Sequence, residues 1–97
     1  MSMIRISLDD IRDGAKLFKD GSTTTSDLEG VLTQAVNGFA QVWEGSAFEA
    51  FEAQYNELLP SVKDFIKLLE DIGLQLDEIA KVMEETDNEI ASAIGKR

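Results

Sequence analysis

From Phe48 onward, apolar side chains recur in alternating steps of three and four. Phe51, Tyr55, Leu58, Val62, Phe65, Leu69, Ile72, Leu76, Ile79, Met83, Thr86 and Ile90 follow one another, and only Thr86 departs from the apolar pattern. A repeat of about 3.5 residues kept up over this length predicts one long amphipathic helix, over about residues 47–94. Leu59, Ile66, Leu68 and Leu74 lie outside the seam and widen the stripe, so the helix needs more than one neighbour. Pro60, the only proline, falls inside the pattern, where it removes a backbone donor and crowds the carbonyl four residues back. The pattern keeps its phase across it, which predicts a bend near residues 56–60 in one helix rather than a break between two.

The first half opens with Ser7-Leu8-Asp9-Asp10, where the serine hydroxyl can cap a new helix and the carboxylates suit its positive end. Ile11, Ala15, Phe18, Leu32, Val36, Phe39 and Trp43 share a three-four spacing, but the middle of that register falls on Ser22, Thr25 and Glu29. Two readings compete at residues 21–26, Gly-Ser-Thr-Thr-Thr-Ser. Helix propensity favours a loop, with Ser26 and Glu29 as the capping box of a second helix. Short residues at the crossing point of a partner helix favour continuity, and tertiary packing overrides propensity often enough that we take one helix over about residues 8–43.

Between the two patterns stands Trp43-Glu44-Gly45-Ser46, where Gly45 can adopt the positive φ that ends one helix and Ser46 can cap the next. The chain is therefore expected to be all-α, a single antiparallel helix-turn-helix hairpin with its turn at 44–46. Arms of about 36 to 48 residues extend about 55 to 70 Å at the standard rise, so the monomer is a rod pair. One helix covers only part of the stripe on the other. Packing a second hairpin antiparallel covers the rest, which predicts a dimer in the form of an elongated four-helix bundle, built from two copies or from this chain and a paralogue.

Composition narrows the functions such a rod can have. Nine Lys and Arg against nineteen Asp and Glu give a formal charge of -10, which opposes binding to nucleic acid and, at neutral pH, contact with anionic membranes. Without cysteine or histidine there is no thiolate, no imidazole base and no common metal-ligand set, so no catalytic, cofactor or metal residues are expected. Residues 1–20 carry Arg5, Asp9, Asp10, Arg12 and Asp13 with no apolar core run, so no cleaved signal peptide is expected. The charge is unevenly placed: residues 44–97 hold thirteen acidic and five basic side chains, against six and four in residues 1–43. The acidic clusters at 70–71, 77–78 and 84–85 read as solvated helix surface.

A chain of 97 residues with two long helices and Trp43-Glu44-Gly45 at their junction resembles the WXG family of early-secreted-antigen-like proteins, small helical hairpins exported by type VII secretion systems. The resemblance spans essentially the whole chain. Gram-positive members carry a C-terminal pattern of a hydrophobic residue, three residues, Asp, two residues, hydrophobic, three residues, hydrophobic, which Met83, Asp87, Ile90 and Ile94 match. The actinobacterial pattern of Tyr, three residues, then an acid near the C-terminus is absent, because the only tyrosine is Tyr55. That departure points to a Firmicutes-type member and to a homodimer. The resemblance implies a secreted protein that reads as an adaptor or partner, with residues 83–94 recognised by the membrane ATPase of the secretion system and a larger exported effector as a further partner.

Each of these residues also has a plainer role. Trp43 is a large apolar anchor at a helix end, Gly45 a backbone requirement, and Met83, Ile90 and Ile94 the last turns of the seam. Asp87 stands next to the seam where a plain helix would favour an apolar residue, and its charge is free for recognition. The rival function from another class is a cytoplasmic helical adaptor or chaperone that covers a partner helix and is not exported.

Overall fold

The computed structural model describes residues 6–95, without the side chains at 91–93; Arg5, one of the charges that speak against a signal peptide, lies outside it, as do Lys96 and Arg97 beyond the candidate export segment. Helix α1 spans Leu8–Val42 and helix α2 spans Ser46–Gly95. The two lie side by side as an antiparallel hairpin 79 Å long, 29 Å wide and 15 Å thick. The radius of gyration of 22.2 Å far exceeds the roughly 13 Å of a compact domain of this length. The molecule is a plate one helix thick.

Local chemistry accounts for where the helices start and stop. The Ser7 hydroxyl accepts a hydrogen bond from the Asp10 amide at 3.0 Å, and the Asp10 carboxylate accepts one from the Ser7 amide at 3.2 Å, a reciprocal pair that satisfies two donors otherwise left open. At the other end of α1 the Trp43 amide closes the last turn on the Phe39 carbonyl at 2.8 Å. Gly45 then takes φ +115°, a conformation that side chains resist, and reverses the chain into α2.

Helix α1 continues through residues 21–26. The hydroxyls of Thr23 and Thr25 donate to the carbonyls of Lys19 and Gly21, four residues back, so these polar side chains are absorbed by the helix. Ser22 is buried and donates to the Ile66 carbonyl of α2 at 2.9 Å. Small residues on both sides let the helices approach closely: Ala15 and Ala80 are almost fully buried, and a Cβ on Gly73 would stand 3.1 Å from the Ala15 carbonyl oxygen. The weak middle register of α1 is thus the inner face. Ion pairs from Arg12 to Glu84 and from Lys19 to Asp77 flank this crossing toward the open end. Helix α2 also runs unbroken through Pro60, which is exposed.

The seam visible in the sequence of α2 divides in the structure. Phe48, Tyr55, Val62, Leu69, Leu76 and Met83, seven residues apart, are buried or half-buried against α1, together with the column Leu59, Ile66, Gly73 and Ala80. The alternate members Phe51, Leu58, Phe65 and Ile79 stay between 37% and 55% exposed. Steps of three and four suit either column, and the one chosen to face α1 includes Gly73 and Ala80, which a count of large apolar residues passes over.

Candidate protein interaction site

The two sides of the plate differ in chemistry. On one side the interhelical groove is lined by Leu28 and Leu32 of α1 and by Leu58, Val62 and Phe65 of α2, enclosing about 350 Å³. On the other it is mixed, lined by Lys19, Thr23, Ser26, Asp27 and Glu70 together with Ser22, Ile66 and Leu74. The first side is the more apolar, and contiguous apolar surface of this kind is characteristic of binding faces on small proteins. Sequence reasoning missed Leu28 as a member of this surface. Its signal is the spacing of four to Leu32, a second apolar column beside the inner one. At the polar edge of the groove Tyr55 and Thr33 share a hydrogen bond of 2.7 Å, and the Thr33 hydroxyl reaches Glu29 at 3.5 Å.

Around the turn, Trp43 lies 6.5 Å from Phe39, 5.9 Å from Phe51 and 5.5 Å from Phe48, ring centroid to ring centroid, in tilted and edge-on arrangements favoured by aromatic quadrupoles. Phe48 is buried, whereas Phe39, Trp43 and Phe51 each keep more than a third of their surface open and Val42 is 83% exposed. Trp43 therefore anchors the turn and also forms part of an exposed aromatic cap. Gly45 contacts no side chain within 4 Å of where a Cβ would stand, so its role is conformational.

Met83, Asp87, Ile90 and Ile94 are spaced by four, three and four, which places them on one stripe of α2. Met83 is half-buried under α1, and Asp87, Ile90 and Ile94 are exposed. Because Arg12 lies opposite Glu84 and α1 begins at Leu8, the last two turns of α2 project beyond α1. From Glu84 on, every described side chain is exposed. Trp43 and Asp87 are separated along α2 by roughly 60 Å, so one hairpin does not bring the turn and the tail together.

Among the described residues no group of His, Cys, Asp or Glu is arranged to hold a metal ion, and no helix is long and apolar enough to cross a membrane. The Lys16 ammonium is held above its ordinary 10.5 by a hydrogen bond to Asp20 and by the charge of that carboxylate. It lies on the solvated surface of α1, away from the turn and the tail.

Comparison with known proteins adds to this geometry. The family WXG100, described as proteins of 100 residues with WXG, matches residues 3–88. An ESAT-6-like protein of Streptococcus agalactiae serotype V is 39% identical over 94 residues, covering 97% of this chain and 98% of the relative. The type VII secretion system extracellular protein A of Staphylococcus aureus is 36% identical over 95 residues, covering 98% of each. A crystal structure of EsxA from Geobacillus thermodenitrificans superposes with a TM-score of 0.86 at 36% identity, over 93% of this chain and 98% of that one.

Proposed function

The chain belongs to the WXG100 family, a family of non-enzymatic helical proteins, and from that premise we propose that it is a secreted substrate and partner protein of a type VII secretion system. It acts by protein-protein contact as a homodimer of hairpins. The observation that carries this reading is the one-sided apolar face of a plate only 15 Å thick: Leu28, Leu32, Leu58 and Phe65 have no cover within the hairpin. A second copy laid antiparallel on the same face completes a four-helix bundle by self-complementarity. The extracellular character of the staphylococcal relative supports export.

In this reading Met83, Asp87, Ile90 and Ile94 form the export signal, presented on the projecting end of α2 to the membrane ATPase of the secretion system. Antiparallel pairing brings Trp43 and Gly45 of one copy to the tail of the other, so each end of the bundle is composite. The same ends accommodate a larger exported effector.

The test is the amount and intact mass of the chain in the growth medium of its native cells, with and without the secretion ATPase. Full-length protein outside the cell that disappears with the ATPase is the expected result; protein confined to the cytosol in both strains refutes export and leaves the intracellular adaptor. Asp87→Ala is expected to abolish export while leaving helicity and dimer mass unchanged, and undiminished export of that variant removes the tail stripe from the account.

A further inference from the structure

The hairpin is electrically polarised along its length. Between Lys19 and Lys63 there is no Lys or Arg, while seven Asp and Glu occupy that stretch; all nine basic residues lie outside it. Because the helices are antiparallel and Ser22 faces Ile66, Lys63 stands level with about residue 25, so residues 26–62, with six Asp and Glu and no Lys or Arg, fold together into the part of the rod that ends at the turn. Three of its carboxylates, Glu44, Glu49 and Glu52, are within a few residues of Trp43 and Phe51 in the sequence, Glu44 and Glu49 exposed and Glu52 half-buried, near the cap formed by Phe39, Trp43 and Phe51 and the exposed Val42. This end combines an apolar centre with acidic side chains in a stretch of both helices, residues 26–62, that carries no Lys or Arg.

A second copy does not meet that demand. Laid parallel, it brings an identical acidic turn. Laid antiparallel, it brings the open end, whose described residues 6–12 and 84–95 hold six acidic side chains and one basic. Either arrangement leaves an excess of negative charge around the aromatic rings, where like charges oppose one another and an approaching cation is favoured. Lys and Arg also gain from the faces of exposed aromatic rings.

We propose that the turn end of the rod is a docking site for a basic amphipathic helix of another protein, which lays aliphatic side chains on Val42 and Trp43, at the tip beyond the face assigned to the second copy, and sets Lys or Arg against Glu44 and Glu52. The proposal rests on the protein acting through protein contacts and is independent of export: failure of the secretion test leaves the docking test unchanged.

Trp43 is the only tryptophan and sits in the site, so its emission reports occupancy directly. The probe is a Leu/Lys amphipathic peptide of about 18 residues, enough for five helical turns, titrated into the full chain at low salt. A Leu/Glu peptide of the same pattern is the control. The expected result is a blue shift with the basic peptide only, weakening as salt is added. The double variant E44K/E52K is expected to bind roughly tenfold more weakly or worse, and E44Q/E52Q to fall between it and the parent. Glu49 is kept, because it supports the first turn of α2. The variant E70K/D71K makes the same change in net charge on exposed positions outside this part and is expected to bind as the parent does. An unresponsive Trp43, an equal response to both peptides, or equal weakening by the turn pair and the E70K/D71K pair each overturns the proposal.

Discussion

Replacing Gly73 by alanine sets two effects of known size against each other. In the interior of a helix the change from Gly to Ala is favourable by about 1 kcal/mol, through the backbone entropy of the unfolded chain and better helix propensity. At Gly73 the new Cβ would stand 2.7 Å from Lys19 Cγ, 3.1 Å from the Ala15 carbonyl oxygen and 3.3 Å from the Lys19 amide nitrogen. The lysine side chain can swing aside, at the loss of its exposed pair with Asp77, which contributes under about 1 kcal/mol. The two backbone atoms move only if α1 moves, and overpacking of that kind costs about 1–3 kcal/mol. The net expectation is destabilisation by about 1 kcal/mol. Gly38→Ala is the internal control, because nothing lies within 4 Å of its Cβ position, and there the same change is expected to stabilise by about 0.5–1 kcal/mol. Urea unfolding followed by helical circular dichroism, at one protein concentration, compares the midpoints. If Gly73→Ala stabilises as much as Gly38→Ala, the close crossing does not govern the packing of α1 on α2, and the account of the inner face fails.

Other expectations follow from the same geometry. Leu58→Asp combined with Phe65→Asp places charge on the apolar face without touching the inner seam, so light scattering should report a helical particle near 10.7 kDa, where the parent is expected to give twice that; a dimeric double variant refutes the proposed face. Gly45→Ala forces a side chain into φ +115° and should lower stability by about 1–3 kcal/mol in the urea assay, whereas an unchanged midpoint would mean that the turn relaxes freely. Ser7→Ala removes one half of the reciprocal cap and is expected to cost about 1 kcal/mol, with the loss of amide protection confined to the start of α1; loss spread along the whole helix would contradict a local role.

Much of the architecture was legible in the residues, because a period of three and four carried through Pro60 has few solutions other than a long helix, and because Gly45 follows Trp43 where both patterns end. The Ser7 cap was legible for a similar reason: a hydroxyl followed by Asp10 satisfies the first free amides without help from the rest of the fold. The column of α2 that faces α1 was not. Periodicity cannot distinguish two neighbouring columns, and Gly73, Ala80 and Ser22 contribute by being small, which no measure of hydrophobicity records. The candidate site divides the same way. Met83, Asp87, Ile90 and Ile94 match the tail pattern of the family the chain resembles, but that their stripe outruns α1 depends on the register between helices, set by contacts such as Arg12 with Glu84 that lie seventy-two positions apart.

The projecting end of α2 has a consequence for how hydrogen exchange should vary along the rod. Amides near Ala80 are packed between two helices and should exchange only when the whole hairpin opens. Past Asn88 the helix has no neighbour among the described residues, and a free helical segment shorter than about 12–15 residues is marginal in water. Those last two turns can therefore melt and re-form while the remainder of the molecule keeps its structure. A receptor can draw this segment out as an extended peptide, or hold it as a helix, with little of the folding free energy of the hairpin at stake in either case.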